Sequence, residues 1–210
     1  MKKKINIVIY GDSIVSCSSL QPNKRWIKIL KNKFNKKYKN LVNLKAYSLN
    51  GATTNDAILN FKKIKLNNKV NFILFMFGIN DSVYWLSKKG KPRVNLNRFK
   101  NNICKLFDKT NICSDAKIAF MLSHKFLQNR LDGNKKTHNY NYQKYKEALI
   151  RISKTYKIKI INMHNKLISY SPKKYCLPLP DGLHLNNFGS LKYSQYIYKF
   201  IVKEAIRNFK

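Results

Sequence analysis

Acidic side chains are scarce in this chain: nine Asp and Glu stand against 43 Lys and Arg in 210 residues. With so few carboxylates, any that recur inside a motif carry weight. Cysteine is also thin, at four residues (Cys17, Cys104, Cys113 and Cys176). No Cys-x-x-Cys pair occurs and the spacings fit no zinc pattern, so these read as small buried hydrophobes in a reducing compartment. The four histidines show no ligand spacing with acids or cysteines, and no P-loop or dinucleotide fingerprint is present. Neither a metal nor a cofactor is expected. No apolar run approaches the ~20 residues of a membrane-spanning helix. A basic start, Met1-Lys2-Lys3-Lys4, precedes a short apolar run, but Gly11-Asp12 interrupts it before any small-residue cleavage site. The run reads as a first strand, and the expected location is the cytoplasm.

What is abundant is Lys, with 37 against six Arg, beside 27 Asn and 22 Ile. AT-rich codons specify Lys, Asn and Ile, so a coding bias raises all three together. Readers of bases and phosphates lean on the bidentate fork of Arg. The Lys are spread along the whole chain rather than gathered in one block. The charge of +34 is therefore read as compositional drift with a non-specific pull on anions. No specific nucleic-acid partner is expected. A basic module that binds nucleic acid or an anionic surface without catalysis is the non-enzymatic alternative.

Hydrophobic residues make up 44% of the chain, a globular composition. Residues 1–210 are expected to form one domain, without repeat, Gly/Ser linker or low-complexity tail. Short β-branched or aromatic runs at 5–10, 41–47, 71–77, 117–122 and 158–163 predict strands. Helical spacing joins Trp26, Ile29, Leu30 and Phe34, with Pro22 near the start. Thr53-x-x-Asp56 predicts a capping box opening a helix through Ile58, Leu59 and Phe61. Phe99, Ile103, Leu106 and Phe107 mark a third helix, and Tyr142, Tyr145, Leu149, Ile152 and Tyr156 a fourth. A last helix runs from Asn187 with Leu191, Ile197, Phe200 and Ile201. Such alternation predicts a parallel α/β sheet with helices on both faces. Ligands then sit beyond the carboxyl ends of the strands.

Four polar clusters fall at that edge: Gly11-Asp12-Ser13, Asn50-Gly51-Ala52, Gly78-Ile79-Asn80-Asp81 and Asp181-Gly182-Leu183-His184. Singly, each is explained by a turn or a helix cap. In register they suggest acyl transfer. A serine hydroxyl attacks only when a base takes its proton, and a histidine near neutrality suits that work. The histidine in turn needs an acceptor on its other nitrogen. Asp181 precedes His184 by three residues, close enough for a short turn to join them. The backbone N–H groups of Ser13 and Gly51 and the side-chain amide of Asn80 are the candidate oxyanion donors.

These blocks, in this order and rough spacing, resemble the four blocks of the SGNH/GDSL hydrolases. The run Asp181-Gly182-Leu183-His184-Leu185-Asn186 with Gly189 is especially similar to the family's last block. The resemblance implies a three-layer α/β/α sandwich with a five-stranded parallel sheet, flavodoxin-like in arrangement. It implies Ser13 as nucleophile, His184 as base, Asp181 orienting His184, and Ser13, Gly51 and Asn80 as oxyanion donors. The implied activity is a serine esterase acting on a small-molecule, carbohydrate or lipid ester, with an O-acetyl or short acyl group among the candidates. An acyltransferase would use the same residues. Two departures stand out: Gly-Asp-Ser-Ile replaces Gly-Asp-Ser-Leu, and Val15-Ser16-Cys17 stands where a Gly is common. No Gly-x-Ser-x-Gly elbow is present.

Of the remaining polar residues, Asp12 and Asp81 are expected to brace loops. His124, after the fourth strand, is placed either against substrate or in a structural role. His138 is placed in a polar loop, and His164 at the end of the fifth strand. The basic stretch Ser87-Lys88-Lys89-Gly90-Lys91-Pro92-Arg93 reads as a solvated loop, with a rim that steers anions as its alternative.

Overall fold

Five strands form one all-parallel sheet in a computed structural model that describes residues 4–39, 41–85, 90–127 and 131–206. They are β1 (Ile5–Gly11), β2 (Val42–Ser48), β3 (Phe72–Met76), β4 (Lys117–Leu122) and β5 (Lys159–Asn162), in the order β2-β1-β3-β4-β5. This is a flavodoxin-like order, with its switch point between β1 and β3. The register Gly11↔Ser48 and Gly11↔Met76 aligns the carboxyl ends of the three strands that precede the first three polar blocks. β3 is buried along its whole length, as its unbroken apolar sequence Phe-Ile-Leu-Phe-Met requires.

The helices are α1 (Ser13–Ser16), α2 (Trp26–Tyr38), α3 (Thr54–Leu59), α4 (Leu96–Cys113), α5 (His138–Thr155), α6 (Met163–Lys166), α7 (Pro172–Tyr175) and α8 (Asn187–Ile201). Packing contacts join α2 to α8, and separately α3 to α4 and α4 to α5. Side-chain caps set several starts: Asn95 for α4, Thr137 for α5 and Asn186 for α8 each accept an N–H of the first turn. No helix among the described residues is long and apolar enough to cross a membrane.

Several expectations shift in detail. Pro22 opens a separate 3-10 turn, Pro22–Lys24, and Trp26 starts α2. The capping box of Thr53 and Asp56 is present, but α3 ends at Leu59, which is 80% exposed, and a 3-10 turn then carries Phe61 inward. In α8 the inward face is Tyr193, Ile197 and Ile201. Leu191 is exposed because six residues before Ile197 is not a helical repeat. His138 opens α5 and is buried, rather than lying in a loop, and His164 falls in α6. Residues 1–3 and 87–89, parts of the basic start and of the basic stretch, lie outside the described residues.

Candidate active site

The first block is shaped by close approach. A side chain at Gly11 would meet Met76 O at 2.7 Å and collide with Val15, so β1 can pass β3 and turn only as glycine. Asp12 then caps α1: its Oδ1 accepts the Ile14 N–H at 3.0 Å. Ser13 is the first residue of that short helix, where a backbone N–H has no intrahelical acceptor. The Trp26 indole donates to Ile14 O at 2.7 Å and fixes the turn from behind. Cys17 ends α1 in the left-handed region at φ 48°. The conformation that a glycine would ease is thus kept, with a buried cysteine in its place.

The second and third blocks are tied to the first and to each other. The Leu49 N–H donates to Gly11 O at 3.0 Å, and Ala52 N–H closes a turn on Leu49 O at 3.1 Å. Gly51, at φ +67°, sits inside that turn with open space where a side chain would project. The Asn80 amide donates to Ala52 O at 3.0 Å, which leaves its second N–H free to turn elsewhere. Below it, buried Asp81 accepts the Thr54 N–H at 3.0 Å and also the Thr54 hydroxyl. The Asn102 amide reaches from α4 to Thr54 Oγ1 at 3.0 Å. His138 approaches Ile79 O at 3.0 Å and Ser82 Oγ at 3.2 Å from the start of α5. Asp12 and Asp81 therefore brace loops, as expected.

The fourth block is a loop held on both sides. Leu127 N–H donates to Gly182 O at 2.7 Å, and Leu177 N–H to His184 O at 2.7 Å. Within it, Asp181 Oδ1 accepts the N–H groups of Leu183 and His184 at 2.9 and 2.7 Å. Asp181 Oδ2 lies 2.7 Å from His184 Nδ1, and His184 Nε2 lies 3.0 Å from Ser13 Oγ. A carboxylate accepts only, so it holds the proton on Nδ1. The lone pair on Nε2 then faces the serine hydroxyl.

His124 does not face this site. It is 1% exposed, with Nε2 2.9 Å from Leu183 O and Nδ1 2.6 Å from Tyr193 Oη. The ring donates to the carbonyl and accepts from the tyrosine, so it steadies the loop that carries His184. Asn102, Thr54, His138 and Tyr193 are supporting residues that the sequence reading did not find. Asn102 left a trace, as a polar residue on the apolar stripe of Phe99, Ile103 and Leu106.

Burial dominates the electrostatics beneath the site. It pushes the Asp12 carboxyl up to about 7, against the Ile14 N–H and with added repulsion from Asp81. Burial likewise raises Asp81 to about 6 although Thr54 opposes it, and lowers His124 to about 4. At Asp181 burial pushes upward, but the hydrogen bonds from His184 and Leu183 outweigh it and hold the carboxyl below its ordinary range. Among the described residues, no three His, Cys, Asp or Glu side chains gather as a metal site.

The model of the GDSL-like lipase/acylhydrolase family matches residues 9–190, the stretch that contains all four blocks. The chain belongs to this family. The resemblance read from the motifs is thereby borne out, and the chain is an ester-hydrolysing enzyme of the GDSL type. Among curated proteins, this GDSL hydrolase is 29% identical over 182 residues to the uncharacterized lipoprotein YqeF of Bacillus subtilis, covering 84% of this chain and 70% of that one. Its fold is similar to a lipase/acylhydrolase from Enterococcus faecalis, at TM-score 0.75 and 16% identity over 96% of this chain and 97% of that one. It is also similar to an acetylxylan esterase from Geobacillus stearothermophilus, at TM-score 0.74 and 16% identity over 96% of both chains.

Proposed function

We propose that this GDSL hydrolase cleaves a carboxylic ester through an acyl-serine intermediate, with Ser13 as nucleophile and His184 as general base. The reading is carried by one observation, the continuous hydrogen-bonded run from Ser13 Oγ through the His184 ring to Asp181. His184 Nε2 takes the hydroxyl proton as Oγ attacks the carbonyl carbon. Asp181 keeps the ring in its tautomer and faces the imidazolium that forms. The negative oxygen of the tetrahedral intermediate meets the N–H groups of Ser13 and Gly51 and the free N–H of Asn80. As the intermediate collapses, the imidazolium returns its proton to the leaving alcohol. Water, deprotonated by the same ring, then attacks the acyl-serine, releases the acid and restores Ser13.

For the substrate we propose an O-acetyl or other short acyl ester, borne on a carbohydrate or a similar alcohol. The acetylxylan esterase among its structural neighbours supports a carbohydrate ester, and shared fold alone goes no further. The test is hydrolysis of p-nitrophenyl acetate by the wild type and by Ser13→Ala. Release of nitrophenol at the wild-type rate by Ser13→Ala contradicts the reading.

We place the enzyme in the cytoplasm, a reading supported by four cysteines that are all unpaired. Cell fractionation tests it, and recovery from the outer face of the membrane would overturn it.

A further inference from the structure

Arg is the minority cation of this chain, and Arg93 occupies an unusual place. Its N–H donates to Val83 O at 2.9 Å, and the Val94 N–H donates to Asp81 O at 3.2 Å. Position 93 is thereby pinned to the segment that leaves Asn80. Tyr84, which pairs with Pro92, is held in turn, its carbonyl accepting the Gly133 N–H at 2.6 Å. The Arg93 guanidinium lies 5.1 Å from the ring centroid of Trp85, which is 42% exposed. Stacking on an aromatic face holds the planar fork in one orientation while leaving its N–H groups available.

Those N–H groups have no acceptor among the described residues, and no carboxylate lies within ion-pair range of them. The two acids that feel its charge are committed elsewhere: Asp56 to Thr53, and Asp81 to Thr54. The Arg93 charge acts to lower both carboxyls without contacting either, and the backbone bonds to Val83 and Asp81 set position 93 beside the segment that follows Asn80. The diffuse field of 37 Lys draws in any anion and is screened by salt. A pre-oriented guanidinium with five free donors does something different, because it selects an oxyacid group by geometry.

We propose that Arg93, stacked on Trp85 at the rim of the oxyanion loop, binds an anionic oxyacid group, carboxylate or phosphate, on the alcohol portion of the ester. This rests on the esterase reading above and names the class of substrate within it. Trp85 holds the guanidinium in place.

The test compares three acetates with the same aryl scaffold: 4-acetoxybenzamide (neutral), 4-acetoxybenzoate and 4-acetoxyphenyl phosphate. Measured at about 0.5 M salt, where the Debye length is only a few ångströms, long-range attraction is largely removed. The kcat/KM ratio of an anionic ester to the benzamide is expected to stay above unity in the wild type. It should fall about tenfold in Arg93→Ala and in Arg93→Lys, since lysine keeps the charge and loses the fork. Preference for the benzoate or the phosphate identifies the anion. A wild-type ratio near one contradicts the proposal, as does an equal fall in Lys105→Ala, which removes an exposed charge from α4.

A second measurement is independent of turnover. Binding of 4-hydroxybenzoate and phenyl phosphate to Ser13→Ala is followed by Trp85 emission, the other tryptophan, Trp26, being fully buried. Perturbed emission that Arg93→Lys abolishes supports the anion site even if no acetate is hydrolysed. Emission indifferent to both anions overturns it even if the acetates are cleaved.

Discussion

Thr54 and Asp81, 27 residues apart in sequence, meet in a fully buried pair in which both the N–H and the hydroxyl of Thr54 point at one carboxylate. Asp81 adjoins Asn80, and Thr54 follows the turn that carries Gly51. The pair therefore fixes the two candidate oxyanion loops against each other. Asp81→Ala would strand two buried donors, at about 1–3 kcal/mol each. We expect a lower melting temperature together with reduced turnover, measured by thermal unfolding and by ester hydrolysis. A variant with wild-type stability would show that the pair does not brace the loops.

Asn80→Ala tests the donor itself. Removing one oxyanion donor costs about 10²–10³ in kcat. KM should change far less, because the interaction forms in the transition state. A variant that raises KM and keeps kcat would assign Asn80 to ground-state binding instead.

Asp181→Asn separates orientation from bulk. An amide can present its N–H to His184 Nδ1 and favour the wrong tautomer, so turnover should fall by up to about 10⁴. The fold should persist, since Asn can still accept the backbone N–H groups of Leu183 and His184. Retained turnover would remove Asp181 from the catalytic account.

Asp12 gives the protein a pH signature. Its carboxyl ordinarily titrates at 3.8 and is raised to about 7 by burial. Between those values the native state keeps a proton that the unfolded chain has released. The Asp12 contribution to stability is therefore fully present below the lower value and is lost as pH rises through the upper one. His124 works oppositely: its ring, lowered from 6.5 to about 4, favours the fold increasingly as pH climbs through that window. Asp12→Asn isolates the first effect. Its melting temperature relative to wild type should increase between about pH 4 and about pH 7. A difference that is flat with pH would show that Asp12 titrates normally.

Much of the fold was legible because it rests on periodicity. The five apolar runs became the five strands, with ends shifted by a residue or so. The errors fell where periodicity is silent. Leu59 and Leu191 are apolar yet exposed, because a short helix ended early in one case and the phase was misjudged in the other. The candidate site was legible for a different reason, since the proposed chemistry calls for particular residue types in local clusters, such as Asp181 three residues before His184. What escaped was the support beneath it. Asn102, His138 and Tyr193 act through hydrogen bonds that span 48 to 69 residues of sequence, and no local pattern encodes such partners. The charge behaved likewise: Lys is spread everywhere, and only the fold distinguishes Arg93 by setting it on Trp85.

The central claim is that the Ser13 hydroxyl is activated by His184 from the far end of the chain. The most direct measurement is labelling by a fluorophosphonate probe, with the modified peptide mapped by mass spectrometry. We predict a single adduct on Ser13 in the wild type and its loss in His184→Ala. Labelling of another residue, or undiminished labelling of Ser13 without His184, would contradict the account.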